Sequence, residues 1–163
     1  MSTVLGTLEF SNQTELERFA KLFARILNPG DAVLLTGEIG AGKSVFARSA
    51  ISDLLDHPED IPSPTFTIVQ TYDSSIGEIW HCDLYRLTDI SETDELGLED
   101  AFKSAITFIE WPEILGAYTP ETSIRIAISI DPETQKRTLG FSGLTTAWQD
   151  RLNDVKERFH DSD

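Results

Sequence analysis

Residues 32–44 of this chain, AVLLTGEIGAGKS, contain the pattern that decides its fold. The first five, Ala32–Thr36, form a short apolar run that is typical of a buried strand. Residues 37–44, GEIGAGKS, match the pattern GxxxxGK followed by Ser or Thr at every fixed position. Apolar residues then recur at helical spacing up to Leu55. A strand, a glycine-rich loop and a helix in this order predict a phosphate-binding loop at the positive end of the helix.

The residue types in this loop suit a triphosphate and a divalent cation. Glycines leave the backbone N–H groups open to phosphate oxygens, Lys43 adds a mobile positive charge, and the Ser44 hydroxyl is a hard oxygen ligand for Mg²⁺. The alternative is a glycine-rich turn before an exposed lysine, which the flanking strand and helix disfavour. We therefore expect nucleotide contacts from Gly37, Glu38, Ile39, Gly40, Ala41, Gly42, Lys43 and Ser44.

A bound magnesium nucleotide also needs an acidic residue opposite the loop, and two candidates compete. Glu110 follows residues 105–109, AITFI, a run that is typical of a strand inside a parallel sheet. That position favours Glu110 as a ligand of the metal, directly or through water. Asp83 shares one face of an alternating segment with His81 and Tyr85, and we expect this face to be polar and solvated. Asp83 is assigned an orienting or water-activating role, and a surface carboxylate is the alternative for both residues.

Four further features carry weaker signals. Residues 63–67, SPTFT, offer hydroxyls to a metal or a γ-phosphate as a switch segment does, although a plain turn is the simpler interpretation. His81 and Cys82 are assigned no chemistry, because a lone histidine is more often structural and a lone cysteine is more often a small core residue. Trp111 is a candidate for stacking on a base or a partner, whereas a buried core position is commoner.

Strand-like and helix-like segments alternate along the rest of the chain, which predicts one α/β domain over residues 1–163 with a central sheet. Residues 67–72 and 78–85 predict a β-hairpin with a five-residue connection. Residues 123–130 and 137–141 predict a second hairpin. Because hairpins are antiparallel and the phosphate-loop unit favours parallel strands, we expect a mixed sheet.

Helix signals are uneven along the chain. Asn12 is placed to cap a first helix, with Glu15 at its third position. The acidic residues 89–100 predict a solvated loop that leads into a short helix at 98–103. A narrow apolar stripe predicts a last helix, and we expect the tail over residues 157–163 to fray.

Composition restricts the partners and the compartment. The 13 Lys and Arg residues face 28 Asp and Glu residues, which gives a formal net charge of −15. Because nucleic-acid backbones are bound by clustered cations, unaided binding of RNA is disfavoured. The single cysteine excludes an internal disulfide framework and suits a reducing cytosol. No basic n-region or long apolar stretch is seen, so we expect a cytoplasmic protein without a membrane segment.

Four motifs in order resemble the TsaE (YjeE) family: GEIGAGKS at 37–44, SPTF at 63–66, HCDLYRL at 81–87 and IEWPE at 109–113. HCDLYR is more discriminating than the phosphate loop. The resemblance implies a P-loop NTPase-like α/β fold with a mixed central sheet flanked by helices. It also implies an ATPase subunit of the bacterial machinery that makes threonylcarbamoyladenosine in tRNA. In that family the protein works with TsaD, which performs the transfer, and with TsaB, and it does not itself modify the base.

The resemblance also implies ATP and Mg²⁺ as cofactors and assigns roles to single residues. It places phosphate binding on Lys43, metal binding on Ser44 and Glu110, a switch function on Thr65, support of hydrolysis on Asp83, and a nucleotide contact on Trp111. Lys43, Asp83 and Glu110 form the expected catalytic set. Serine at position 44 replaces the commoner threonine and keeps the hydroxyl.

The acidic charge favours docking on the TsaD and TsaB proteins, with tRNA contacted only indirectly through the complex. Arg86 is the only candidate that we identify for an arginine finger. We therefore expect slow hydrolysis by the chain alone and acceleration by its partners. Two alternatives remain open: a small-molecule or nucleotide kinase, which needs a basic lid, and a nucleotide-gated binding module without useful turnover.

Overall fold

The computed structural model describes residues 2–64 and 67–161. These residues form one sheet of seven strands, with five α-helices and one 3₁₀ helix. In chain order the elements are β1 (Thr3–Phe10), α1 (Gln13–Ala24), β2 (Ala32–Thr36), α2 (Lys43–Leu54), β3 (Val69–Ser74), β4 (Gly77–Asp83), α3 (Ser91–Leu96), α4 (Leu98–Ser104), β5 (Ile106–Glu110), the 3₁₀ helix (Pro112–Tyr118), β6 (Ser123–Ile130), β7 (Arg137–Gly143) and α5 (Gln149–Asp161).

The sheet has the strand order β1-β7-β6-β2-β5-β4-β3. Strand β2 pairs in parallel with β5 and β6, and β4 pairs in parallel with β5. The pairs β1–β7, β6–β7 and β3–β4 are antiparallel. The predicted mixed α/β sheet is therefore confirmed. The four parallel strands end at the same edge of the sheet, and this edge carries the candidate site.

Two apolar layers cover the sheet unequally. On one face, α1, α2 and α5 pack against the strands through a cluster of aromatic residues: Phe10, Phe19, Phe23, Phe46, Phe141, Trp148 and Phe159. On the other face, a smaller cluster joins Leu34, Cys82 and Ile109 of the parallel strands to Leu98 of α4 and Leu115 of the 3₁₀ helix. Strands β2 and β5 are therefore buried on both faces, as the continuous apolar runs predict.

The start of α1 follows the prediction. The Asn12 side chain accepts a hydrogen bond from the Glu15 backbone N–H at 3.0 Å. This contact satisfies one of the N–H groups that a helix leaves unpaired at its first turn.

The β3–β4 hairpin is tighter than predicted. Ser75 and Ile76 alone join the strands, and the Ser74 hydroxyl donates to the Gly77 carbonyl at 2.8 Å across the turn. The predicted five-residue connection is therefore wrong, because three of its residues extend the ladder.

The acidic segment is also more ordered than predicted. Residues 91–96 form α3, directly before α4, where we expected a solvated loop. The Glu92 carboxylate accepts hydrogen bonds from the backbone N–H groups of Thr88 and Asp89 at 3.0 and 3.1 Å. Acidic side chains in the first turn of a helix are favoured by its dipole, which explains a helix in this charged segment.

The two ends of the chain differ from the prediction as well. Strand β1 is absent from the sequence-based prediction and pairs with β7 along the sheet edge. Helix α5 continues to Asp161, so the predicted frayed tail is wrong for residues 157–161, and its last two residues lie outside the described ranges. The Phe159 ring explains this, because it is buried against Phe10 and Phe19 at centroid distances of 5.3 and 5.6 Å.

None of the helices in the described ranges is long and apolar enough to cross a bilayer.

Candidate functional site

The glycine-rich loop connects the end of β2 to the first residue of α2. Gly37 has φ +141°, and a Cβ atom on it would collide with the Ile128 carbonyl oxygen of β6. Glycine is therefore required where the loop leaves the sheet. At Gly40, φ is +85°, and a Cβ atom there would meet no atom of the described residues within 4 Å, so this part of the loop is open. The loop is anchored at its base and accessible at its tip.

Lys43 is buried at the start of α2, and its side chain reaches back over the loop. Its Nζ donates to the backbone carbonyls of Gly37 at 2.6 Å and Glu38 at 2.9 Å. The same Nζ lies 4.3 Å from the centroid of the Trp111 ring. Burial lowers the pKa of Lys43, and the carboxylates of Glu110 and Asp83 oppose this shift. The ammonium is thus held where phosphate oxygens would offer stronger acceptors than carbonyls.

Ser44 and Glu110 meet across the gap between α2 and β5. The Ser44 hydroxyl lies 2.9 Å from Glu110 Oε1 and 3.0 Å from Oε2. Glu110 is 3% exposed and lies at the end of β5, so the alternative of a surface carboxylate is wrong for this residue. The predicted pairing of these two residues in one site agrees with the geometry.

His81 completes this cluster from β4. Its Nε2 atom lies 2.7 Å from Glu110 Oε2, and its side chain is fully buried. The parallel register of β4 and β5 pairs His81 with Phe108, two residues before Glu110. Sequence patterns alone assigned no role to His81. The available signal was its position two residues before Asp83 on the same strand face.

Asp83 ends β4 directly beside Glu110 in the strand register. Its Oδ1 atom accepts a hydrogen bond from the Tyr85 backbone N–H at 3.0 Å. Asp83 is 8% exposed and Ile79 and His81 are fully buried, so the prediction of a solvated face is wrong. The reason is the position of β4 between β5 and β3, with this face turned into the larger apolar cluster through Ile79.

A cavity of about 490 Å³ opens over these residues. Its lining includes the charged and polar residues Lys43, Ser44, Asp83 and Glu110. Its wall includes two aromatic rings, Tyr85 and Trp111, with centroids 4.9 Å apart. The remaining lining residues are Ile39, Gly40, Gly42, Val45 and Arg86.

Trp111 has left-handed backbone torsions, with φ +55° and ψ +59°, where β5 passes into the 3₁₀ helix. The residue is half-buried and lines the cavity, so the alternative of a fully buried core tryptophan is wrong. Cys82, in contrast, is fully buried in the smaller apolar cluster, and burial raises its thiol pKa. The interpretation of Cys82 as a core residue agrees with this position.

The predicted nucleotide-contacting residues divide into two groups. Ile39, Gly40, Gly42, Lys43, Ser44 and Trp111 line the cavity. Gly37, Glu38 and Ala41 do not line it and instead shape the loop, with the Ala41 N–H donating to the Glu38 carbonyl at 3.1 Å. Thr65, the predicted switch residue, lies outside the described residues.

The oxygen donors in the cavity fit Mg²⁺ bound together with phosphates. Mg²⁺ is held by one or two carboxylates plus substrate phosphates and water in nucleotide sites, and it rarely has an all-protein cage. Glu110 and Ser44 supply two hard oxygen donors at one point. Within residues 2–64 and 67–161, no group of three or more His, Cys, Asp or Glu is arranged to hold a metal ion by itself. A bound metal would therefore depend on the nucleotide.

The family model described as "Threonylcarbamoyl adenosine biosynthesis protein TsaE" matches residues 10–139, most of the chain and all of this cavity's lining. The chain belongs to the TsaE family. Relatives named tRNA threonylcarbamoyladenosine biosynthesis protein TsaE include one from Rickettsia bellii, 41% identical over 74% of this chain and 83% of that protein. Another, from Bacillus subtilis, is 33% identical over 72% of this chain and 73% of that protein.

The fold is shared with a solved structure as well. The crystal structure of Bacillus subtilis YdiB superposes with a TM-score of 0.78, covers 97% of both chains and is 23% identical in sequence. This similarity supports the P-loop-like α/β fold. The TsaE resemblance that the four sequence motifs indicate is confirmed by the family match.

Proposed function

We propose that this TsaE-family chain is a Mg²⁺-dependent ATP-binding and ATP-hydrolysing subunit required for threonylcarbamoyl modification of adenosine in tRNA. The observation that carries the proposal is the contact of Ser44 with Glu110 in the lining of a cavity that also includes Lys43. A phosphate-loop hydroxyl, a lysine and a carboxylate at the end of a neighbouring strand are the three protein groups that a magnesium nucleotide requires.

The chemistry follows from the contacts of these side chains. Lys43 exchanges the carbonyls of Gly37 and Glu38 for phosphate oxygens, which are stronger acceptors of a charged donor. Ser44 and Glu110 would hold the metal, whose charge neutralises the phosphates when it is bound. Asp83, beside Glu110 in the register, is placed to orient the attacking water. Tyr85 and Trp111 form an aromatic wall on which a base would stack.

The proposal includes partners, and the charge of the chain supports them. A net charge of −15 repels bare tRNA, so docking on the proteins TsaD and TsaB is favoured, with tRNA reached only through the complex. Arg86 lines the cavity and is our candidate for stabilising the transition state. We expect slow turnover alone and faster turnover with the partner pair, and we place the protein in the cytoplasm.

Two substitutions separate binding from hydrolysis. Lys43→Ala should weaken binding of a non-hydrolysable ATP analogue by about 10- to 100-fold, because hydrogen bonds to charged groups contribute about 1.5–3 kcal/mol. Glu110→Gln should keep binding of the analogue without Mg²⁺ within about threefold of wild type and lower phosphate release by at least about 10-fold, as expected for loss of a metal ligand. Titration calorimetry and a phosphate-release assay measure the two quantities.

Matched controls are available on the helices. Lys21→Ala on α1 and Glu99→Gln on α4 make the same changes at exposed positions outside the cavity, and both quantities should stay at wild-type values. Equal analogue binding by wild type and Lys43→Ala would overturn the proposed site. Transfer of phosphate to a small-molecule acceptor would instead support the kinase alternative.

The partner claim has its own test. Immobilised TsaD and TsaB should retain the chain differently in ATP and in ADP, and the pair should accelerate phosphate release. If retention were the same in ATP and in ADP and the partner pair left phosphate release unchanged, the partner claim would be overturned and only a generic ATPase activity would remain.

A further inference from the structure

His81 has a buried contact that the proposed function does not yet use. Its side chain has 0% exposure, and Nε2 lies 2.7 Å from Glu110 Oε2. The other ring nitrogen, Nδ1, is buried and has no hydrogen-bond partner within residues 2–64 and 67–161. All of the polar contact of this ring is therefore directed at one carboxylate oxygen.

The chemistry of this contact fixes which nitrogen carries the proton. An ionised carboxylate only accepts hydrogen bonds, so His81 Nε2 must donate its hydrogen to Glu110. A second proton on Nδ1 would leave a buried N–H without an acceptor, which costs the full desolvation of that group. A lone pair at Nδ1 is less costly to bury. The geometry thus selects the tautomer with its proton on Nε2, the nitrogen that faces Glu110.

We propose that His81 is a positioning residue for Glu110. Its Nε2–H holds Oε2 in place, so that the carboxylate stays turned toward Ser44, whose hydroxyl lies 2.9 Å from Oε1 and 3.0 Å from Oε2. The inference rests on the proposed function. In that function Ser44 and Glu110 would both hold the metal, and His81 would remain as the neighbouring side chain that keeps Glu110 in its rotamer. A fixed hydrogen-bond donor beside a ligating carboxylate raises metal affinity by limiting the orientations that the carboxylate adopts.

The sheet makes His81 a rigid support. Strand β4 pairs with β5 in a parallel ladder from Ile79–Ile106 to Asp83–Glu110, so the backbones beneath the two side chains are fixed relative to each other. A contact between two neighbouring strands is more precise than one from a loop. This distinguishes His81 from Ser44, whose hydroxyl rotates freely about its own bond.

A spectroscopic test requires no substitution of His81 and no nucleotide. Long-range ¹H–¹⁵N correlation spectra of the wild-type protein should show a protonated Nε2 and an unprotonated Nδ1 for His81. The Nε2–H resonance should shift in Glu110→Gln, since its acceptor changes from a carboxylate to an amide. A proton on Nδ1, or no change in Glu110→Gln, would overturn the inference.

The functional test measures how much Mg²⁺ strengthens binding of a non-hydrolysable ATP analogue. The readout is the ratio of the analogue's dissociation constants without and with Mg²⁺, from calorimetry. In His81→Leu this ratio should fall by about 10-fold, at the lower end of the effect of removing a partner of a metal ligand. Binding without Mg²⁺ should stay within about threefold of wild type, because Lys43 and the loop are unchanged. A general loss of packing would instead weaken analogue binding both with and without Mg²⁺.

Two further variants separate positioning from structure. His81→Gln places an amide N–H near the Nε2 position and should restore most of the Mg²⁺ effect. Thr107→Val is the matched control: Thr107 is fully buried on β5, its hydroxyl has no partner in the described ranges, and it lies on the opposite strand face from Glu110. This variant should keep the wild-type ratio.

The outcomes distinguish this inference from the proposed function. Wild-type protein that binds no analogue would overturn the proposed function. Wild-type protein with a Mg²⁺-dependent affinity that His81→Leu preserves would overturn the positioning role alone. If His81→Leu does not fold, His81→Gln is compared with wild type instead. The positioning role would also be overturned if the ratio of dissociation constants without and with Mg²⁺ fell as much in His81→Gln as in Glu110→Gln.

Discussion

The two halves of the sheet differ in how they are covered, and the chemistry lies in one of them. The parallel half, β2, β5 and β4, has helices on both faces and ends at the cavity. The antiparallel half, β6, β7 and β1, packs α1 and α5 on one face, while its other face carries exposed side chains such as Ala127 and Ser129. Strand β6 is also parallel to β2 and ends at the same edge, but among the described residues the strands that line the cavity are β4, through Asp83, and β5, through Glu110.

The burial pattern shows the same contrast along single strands. All five residues of β5 are buried, including Thr107 and Glu110, whereas buried and accessible residues alternate in β6 from Ile124 onward. A strand covered on both faces can hold a carboxylate away from water at its end. A strand covered on one face mainly supplies packing area. We infer that the antiparallel half supports the site mechanically, and the following experiments test this division.

The largest expected effect comes from placing a charge on the same sheet face in each half. Leu34 on β2 and Ala127 on β6 share this face through the register of Leu34 with Arg125, but Leu34 is 1% exposed and Ala127 is open to solvent. Leu34→Lys should cost more than about 4 kcal/mol of unfolding free energy, because it buries an unpaired charge. Ala127→Lys should change it by less than about 0.5 kcal/mol. Urea unfolding measures both, and similar costs would refute unequal coverage.

A smaller effect is expected from adding a methyl group to one glycine of each half. Gly37→Ala places Cβ against the Ile128 carbonyl oxygen at φ +141°, so the backbone must shift. We expect a loss of about 3 kcal/mol, within the range for overpacking that moves the backbone. In Gly140→Ala on β7, the new Cβ meets its nearest described neighbour, Ala127 Cβ, at 3.9 Å, and stability should change by less than about 1 kcal/mol. If the two variants unfolded at the same urea concentration, the loop would not be anchored as described.

Much of this contrast could be predicted from the sequence, because it depends on local patterns. The continuous apolar runs before Gly37 and before Glu110 identify strands buried on both faces, and the loop motif places Lys43 and Ser44 at a helix start. These signals need no knowledge of distant contacts. They were sufficient to bring Ser44 and Glu110 into one site.

The remaining features depend on partners distant in the chain. The contact of His81 with Glu110 is set by the register between β4 and β5, which alternation within one strand does not reveal. The face of β4 that carries Asp83 is covered because Ile79 packs into the larger apolar cluster, so an alternating pattern led to the wrong expectation of solvent near Asp83. Strand β1 is mostly accessible and is defined by its pairing with β7, which the sequence of β1 alone does not specify.

The smallest expected effect is the absence of a reaction at the only native cysteine. Cys82 is fully buried in the parallel half, and burial raises its thiol pKa, so the reactive thiolate is suppressed both by access and by ionisation. Raising the pH through about 8.5, the ordinary thiol pKa, should therefore leave iodoacetamide labelling of the folded wild-type protein negligible. In Ala127→Cys, on the open face of β6, labelling should rise with pH through that value. Mass spectrometry counts the added groups, with urea-unfolded protein as the control in which Cys82 must react. Rapid labelling of Cys82 under native conditions would mean that the cover over β4 opens frequently, and the parallel half would then be less protected than the antiparallel half.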